Sequence, residues 1–227
     1  MRFVFTFHHM RFLLAAFLLA FTATAHAVDD GDWQTWNYLS VKYLDTEKLD
    51  LVAVGQFRYL DDFSEFGHAT LSQRLQFDPR PWLGLSLNYT YVHTLPLGAE
   101  YFVDTHRPEF EITPRWKLLG LDWELRNRLE LRYTEGVSEV RPRLRHRLQG
   151  TLPLKDMGRL GALVFSNEVF YDTTLDRISE NRLLPLSFSF KLSPHATLIT
   201  GYGIQSLRNK GEWVQSNIIV STMQITF

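Results

Sequence analysis

From Asp122 to Arg132 every second residue is charged: Asp122, Glu124, Arg126, Arg128, Glu130 and Arg132. Their neighbours are Trp123, Leu125, Asn127, Leu129, Leu131 and Tyr133. Successive side chains on an α-helix turn by about 100°, which would spread a period of two around the whole circumference; on a strand the same period separates charged from apolar residues. The next segment repeats the pattern, with Arg141, Arg143, Arg145 and Arg147 against Val140, Pro142, Leu144 and Leu148, and His146 as a polar exception. Such strands must give their charged face to bulk water or enclose it in a wet interior. A soluble antiparallel sandwich does the first. A transmembrane barrel does the second and turns the apolar parity toward lipid.

The chain ends favour the barrel. Arg2 and Arg11 precede an apolar run from Phe12 to Phe21, and Ala25-His26-Ala27 has the small-x-small form of a cleavage site. These are the three parts of a secretory signal peptide. The run is too short for a membrane anchor, which needs roughly 20 apolar residues, and Asp29, Asp30 and Asp32 follow it. The expected organisation is a cleaved leader at 1–27 and a single barrel domain at 28–227. The last residues alternate, with Ile219, Met223, Ile225 and Phe227 on one parity and Thr222, Gln224 and Thr226 on the other. Met223, Ile225 and Phe227 thus have the form of a terminal signal read by the barrel assembly machinery. The chain has no cysteine, and its 24 Lys and Arg against 25 Asp and Glu argue against a nucleic-acid partner.

Eleven alternating segments follow one another, near 33–43, 48–60, 68–77, 82–94, 105–116, 122–133, 140–151, 159–171, 181–192, 196–206 and 214–227. Bacterial single-chain barrels usually have an even number of strands. The expected fold is therefore an all-β, antiparallel up-and-down transmembrane barrel of ten or twelve strands, with ten preferred. Short turns at 78–81, 118–121 and 193–195 belong on the periplasmic side, and longer loops at 95–104 and 172–180 outside. Tyr43, Phe77, Trp82, Trp116, Trp123, Phe190 and Phe227 fall near the first set of ends. Tyr59, Tyr91, Phe110, Tyr133 and Tyr171 fall near the second, as two interfacial girdles would. Opposite charges favour facing pairs across a strand pair, which predicts Arg107 opposite Glu130, Glu109 opposite Arg128 and Glu111 opposite Arg126. In the following hairpin, Glu130 facing Arg143 sets Asn127 opposite His146.

Asp32-Trp33-Gln34-Thr35-Trp36, the run from Glu124 to Arg132, Arg141-Pro142-Arg143-Leu144-Arg145, Asn167-Glu168-Val169-Phe170 and the terminal strand occur in that order. In this order the chain resembles the domain of unknown function 2490 family, outer-membrane barrels without a known activity. The resemblance implies fold and outer-membrane location and carries no functional residue with it.

The interior parity supplies the candidate site. Arg107, Arg115, Arg126, Arg128, Arg132, Arg141, Arg143, Arg145 and Arg147 stand against Glu109, Glu111, Glu124 and Glu130, an excess of five positive charges. Asp50 and Glu168 are the acids expected from the opposite wall. The preferred reading is a narrow, charge-filled structural or interaction barrel, since small barrels are filled by side chains. The alternative is an anion-preferring channel or binding barrel. A hydrolase is a third class, resting on His93, Asp104 and His106 flanking one loop, with no catalytic residue assigned. No cofactor or metal is expected. The expected partners are outer-membrane lipid, lipopolysaccharide and the assembly machinery. Asn127, His146 and Asn167, polar residues on the apolar parity of three successive strands, either bond one another or form a lateral contact with another barrel or partner.

Overall fold

In the computed structural model, which describes residues 31–96, 99–209 and 211–227, eleven strands close into one barrel in the order β1-β11-β10-β9-β8-β7-β6-β5-β4-β3-β2. They are β1 (Asp32–Asp45), β2 (Leu49–Leu60), β3 (Glu65–Arg80), β4 (Leu83–Thr94), β5 (Val103–Leu118) and β6 (Leu121–Thr134), followed by β7 (Arg141–Pro153), β8 (Leu160–Asp172), β9 (Arg177–Ser193), β10 (Ala196–Asn209) and β11 (Glu212–Thr226). The expected leader and cleavage site lie outside the described residues.

The expectation of ten or twelve strands is wrong; all eleven segments are strands. Neighbours in an up-and-down barrel reverse direction, so an odd number brings the first and last strands back pointing the same way. They can close only by parallel pairing, and β1 and β11 do so, with Trp36 beside Val220 and Asn37 beside Ser221. Parallel pairing is slightly weaker per residue than antiparallel, but two open edges would leave whole rows of amides unpaired. The chain has no cysteine, which makes the closure easy to test. Neighbouring strands lie about 4.8 Å apart, inside the range a disulfide spans. Asn37→Cys with Ser221→Cys should crosslink on oxidation, whereas Asn37→Cys with Met223→Cys should crosslink poorly. Preferential crosslinking of the second pair would overturn this register.

The β5–β6 register also departs from expectation. Glu109 faces Glu130 and Glu111 faces Arg128, two residues away from the predicted pairing. The turn decides this. Leu119 and Gly120 both have positive φ (55° and 76°) between the paired Leu118 and Leu121, the two-residue geometry that suits a hairpin's twist and fixes register from the turn. The like charges are accommodated because arginines on flanking positions reach both carboxylates. The β6–β7 register agrees with expectation: Glu130 faces Arg143 and Asn127 faces His146.

Strand β9 carries a bulge where the pairing with β10 steps from Tyr202–Leu186 to Ile204–Leu183, at Pro185, a residue tolerated in sheets at such points. The bulge brings β9 close to Gly201, where an added Cβ would sit 2.2 Å from the Ser187 hydroxyl and 2.5 Å from the Leu186 carbonyl oxygen.

Inward and outward parities follow the sequence pattern. Leu71, Leu87, Tyr89, Phe110, Ile112 and Leu148 are exposed on the outside. Trp116 and Trp123 stack at 6.4 Å beside the 119–120 turn, and Tyr43, Phe77, Trp82 and Phe227 are exposed toward that same end. Among the described residues no helix is long and apolar enough to cross a membrane. The sorting of connections is imperfect. The short turns 81–82, 119–120 and 194–195 share one end, but so does the longer 154–159 connection. The opposite end carries 95–102, 135–140 and 173–176 together with the short turn before Glu212. With eleven strands, β1 starts at the loop end and β11 finishes at the turn end.

Candidate functional site

The alternating pattern directs the charged parity of β5 to β8 into the barrel, where buried carboxylates are each shared among several arginines. Glu130, fully buried, takes Arg143 at 2.6 Å, Arg145 and, more distantly, Arg128 at 3.6 Å. Glu168 takes Arg126 at 2.5 Å and Arg145 at 2.9 Å. Glu109 takes Arg128 at 2.7 Å and Arg107 at 3.4 Å. Glu111 pairs with Arg128, with Arg126 and Arg74 each at 4.0 Å. Toward the turn end Glu124 holds Arg147 at 2.6 Å and Asp78 holds Arg115 at 3.1 Å. Toward the loop end Asp172 holds Arg132 at 2.5 Å. Removing charges from water is costly, and sharing each acceptor among forked donors offsets that cost.

Arg141 is the correction to the expected network. It is exposed at the start of β7, and its backbone carbonyl accepts a hydrogen bond from Arg132 at 3.2 Å. A parity argument cannot see that a strand has reached the mouth of the barrel. The opposite wall is also richer than expected. Asp50 is occupied by Lys42 at 3.0 Å, while Glu180, Arg182, Arg58, Arg74 and His68 contribute beyond the central strands. Arg58 and Arg74 stand on the inward parity of β2 and β3, a signal present in the alternation. Arg182 lies next to the bulge, which breaks the parity of β9.

Two inward aromatics organise these further arginines. Trp36 on β1 is 2% exposed and packs with Ile218 and Val220. Its ring lies 3.8 Å from the Arg58 guanidinium and 4.7 Å from that of Arg182. Phe170 on β8, fully buried, meets Arg182 and Arg145 at 4.4 Å and Arg143 at 4.9 Å. Guanidinium groups favour aromatic faces, more so out of water. A belt of rings and cations therefore links β2, β1, β9, β8 and β7 across the lumen.

The lumen is not filled. A cavity of about 1010 Å³ has wall residues from both ends of the barrel, including Gln149 and Gln224 toward the turn end and Thr94 and Leu207 toward the loop end. Its wall carries ten arginines and four glutamates, Glu109, Glu124, Glu168 and Glu180. Adding Glu111, Glu130 and Asp172, which hold arginines without lining the space, still leaves the cations in excess. Strands β10, β11 and β1 supply uncharged side chains to this wall, among them Trp36, Gln205, Ser216 and Thr222. The space thus runs between a charged wall and a neutral one.

On the outer face, the His146 ring nitrogen meets the Asn127 side-chain oxygen at 2.8 Å, and the Asn127 amide donates to the Leu125 carbonyl at 3.2 Å. Asn167 does not join them; it exchanges bonds with Asn181 at 3.1 and 3.3 Å. The expected belt of three is two separate pairs. His93 and Asp104 meet at 2.7 Å, while His106 bonds the Tyr89 hydroxyl. No serine hydroxyl bonds His93 among the described residues. Among those residues, too, no group of three or more His, Cys, Asp or Glu side chains is placed to hold a metal ion.

The sequence model of a protein family of unknown function, DUF2490, matches residues 33–216. No curated protein matches the chain. Among solved structures, an anion-selective porin from Comamonas acidovorans is similar at 12% identity with a TM-score of 0.40, over 80% of this chain and 54% of the porin. The chain thus spans about half that porin's length.

Proposed function

The chain belongs to the DUF2490 family, for which no function is described, and we propose from the chemistry of its lumen that it is a narrow outer-membrane barrel of a Gram-negative cell that admits small anions. The observation that carries this reading is the cavity of about 1010 Å³, bounded from both ends, with ten arginines against four glutamates on its wall. Rings of arginine favour anions in a pore. The apolar outward parity supports a lipid-facing surface, with lipid and lipopolysaccharide as its surroundings. The outward Met223, Ile225 and Phe227 of the last strand suit a role in handing the chain to the assembly machinery. A closed structural or interaction barrel is the second reading, favoured by the extent to which the central arginines are already paired.

Planar-bilayer recording of the purified, refolded chain separates the two. Under a potassium chloride gradient the reversal potential should have the sign of anion preference. That preference should weaken as salt rises from about 0.1 M toward 1 M, because the screening length falls from about 10 Å to about 3 Å. Absence of conductance from a folded barrel would favour the closed reading, and cation preference would refute the proposal.

A further inference from the structure

The arginines of the lumen are not evenly satisfied. Arg126, Arg128, Arg132, Arg143, Arg145 and Arg147 each have a carboxylate within hydrogen-bonding distance. Arg58 does not. It is 8% exposed, lies over Trp36 and donates to the Gln56 amide at 3.3 Å, and it forms no ion pair among the described residues. Among the described residues Arg107 pairs only with Glu109, at 3.4 Å, a carboxylate that Arg128 holds more closely. That contact is made through its Nε, and neither this atom nor the Glu109 oxygen it faces makes a hydrogen bond among the described residues. Arg182 bonds Glu180 at 2.6 Å.

These three side chains come from β2, β5 and β9; Arg58 and Arg182 both lie against the Trp36 ring, 3.8 and 4.7 Å from its centre. His68 on β3 stands directly opposite Arg58 in the β2–β3 pairing. All four line the same cavity. Like charges brought together inside a barrel repel, and an unpaired buried donor is costly. Glu180 and Glu109 offset part of this charge, and a bound anion would offset what remains.

We propose that Arg58, Arg107 and Arg182, with His68 at their margin, form a binding site for a phosphate dianion, free or as a small monoester. Two of the three guanidiniums lack a carboxylate of their own, so a doubly charged ligand restores balance where chloride does not. Phosphate also offers four oxygens to forks arriving from three sides, whereas a carboxylate has two. The proposal deepens the anion reading, since it rests on a lumen that small anions enter.

The test is isothermal titration calorimetry of inorganic phosphate into the full refolded chain in detergent at low ionic strength, which does not require conduction. The wild type should bind saturably. Arg58→Gln and Arg107→Gln should each weaken binding by about tenfold or more, the loss expected for one hydrogen-bonding partner of a charged group. Arg115→Gln, whose partner is Asp78 and which does not line the cavity, should bind as the wild type does. Circular dichroism establishes folding first, and Arg107→Gln carries the test alone if Arg58→Gln does not fold. A parallel titration with glycerol phosphate distinguishes the sources: tighter binding than phosphate assigns the site to monoesters, and weaker binding to the free ion. No saturable phosphate binding, or equal binding by Arg107→Gln, overturns the site. If the wild type is anion-selective in bilayers but does not bind phosphate, the site fails and the passage stands. If phosphate binds to a barrel that does not conduct, the passage fails.

Discussion

Glu130→Gln should destabilise the barrel by about 3–5 kcal/mol, the loss typical of stripping one partner from a buried ion-pair cluster. Urea titration of the folded chain in detergent measures it. Glu130 is fully buried, with Arg143 at 2.6 Å on one oxygen and Arg145 on the other. Glutamine keeps the shape and removes the charge, and its amide nitrogen turns a donor toward a guanidinium that is itself only a donor. The facing carboxylate cannot substitute, because Glu109 is held by Arg128 at 2.7 Å. Glu124→Gln is the control. Its side chain is 27% exposed and among the described residues it bonds Arg147 alone, so water replaces the lost partner and the cost should be about 1 kcal/mol or less. Equal losses from the two variants would mean that the central cluster does not organise the interior.

Trp36→Ala should both weaken the barrel and widen it. Truncating a buried tryptophan costs about 3–5 kcal/mol through lost packing and the cavity left behind. Here the ring also packs against both Arg58 and Arg182, and its indole N–H donates to Gln34 at 2.9 Å. Without the ring, both guanidiniums lose their aromatic partner, and the belt that crosses the lumen is interrupted between β1 and β9. Single-channel conductance should rise and anion preference persist, since no charge is removed. A destabilised variant with unchanged conductance would place the narrowest point of the passage elsewhere, with Phe170 and its three arginines the next candidate.

Strands were legible in this sequence because each carries the period of two over its whole length. The run Asp122 to Arg132 has one conformation that divides its charges from its apolar residues, and all eleven such segments are strands. The same alternation identified most of the lumen charges. It placed Arg141 inside because parity says which way a side chain points and nothing about where the barrel ends. It passed over Arg58 and Arg74 because they lie singly among neutral residues, and over Arg182 because the bulge at Pro185 resets the parity of β9.

By itself the sequence determined the strands, the division between apolar exterior and charged interior, and the chemistry available to the lumen. These are local properties, set by which residues alternate along a strand. The tertiary structure decided three things that depend on residues distant in the chain. Closure is by a parallel β1–β11 pair, because direction at closure depends on the count of all the strands. The register of β5 on β6 follows the positive φ angles at Leu119 and Gly120, which outweigh the face-to-face charge pairing that the strands alone suggest. And which arginines are neutralised depends on reach across the lumen: Glu168 serves Arg126 from two strands away, while Arg58, on the far wall, is left with an aromatic ring and an amide.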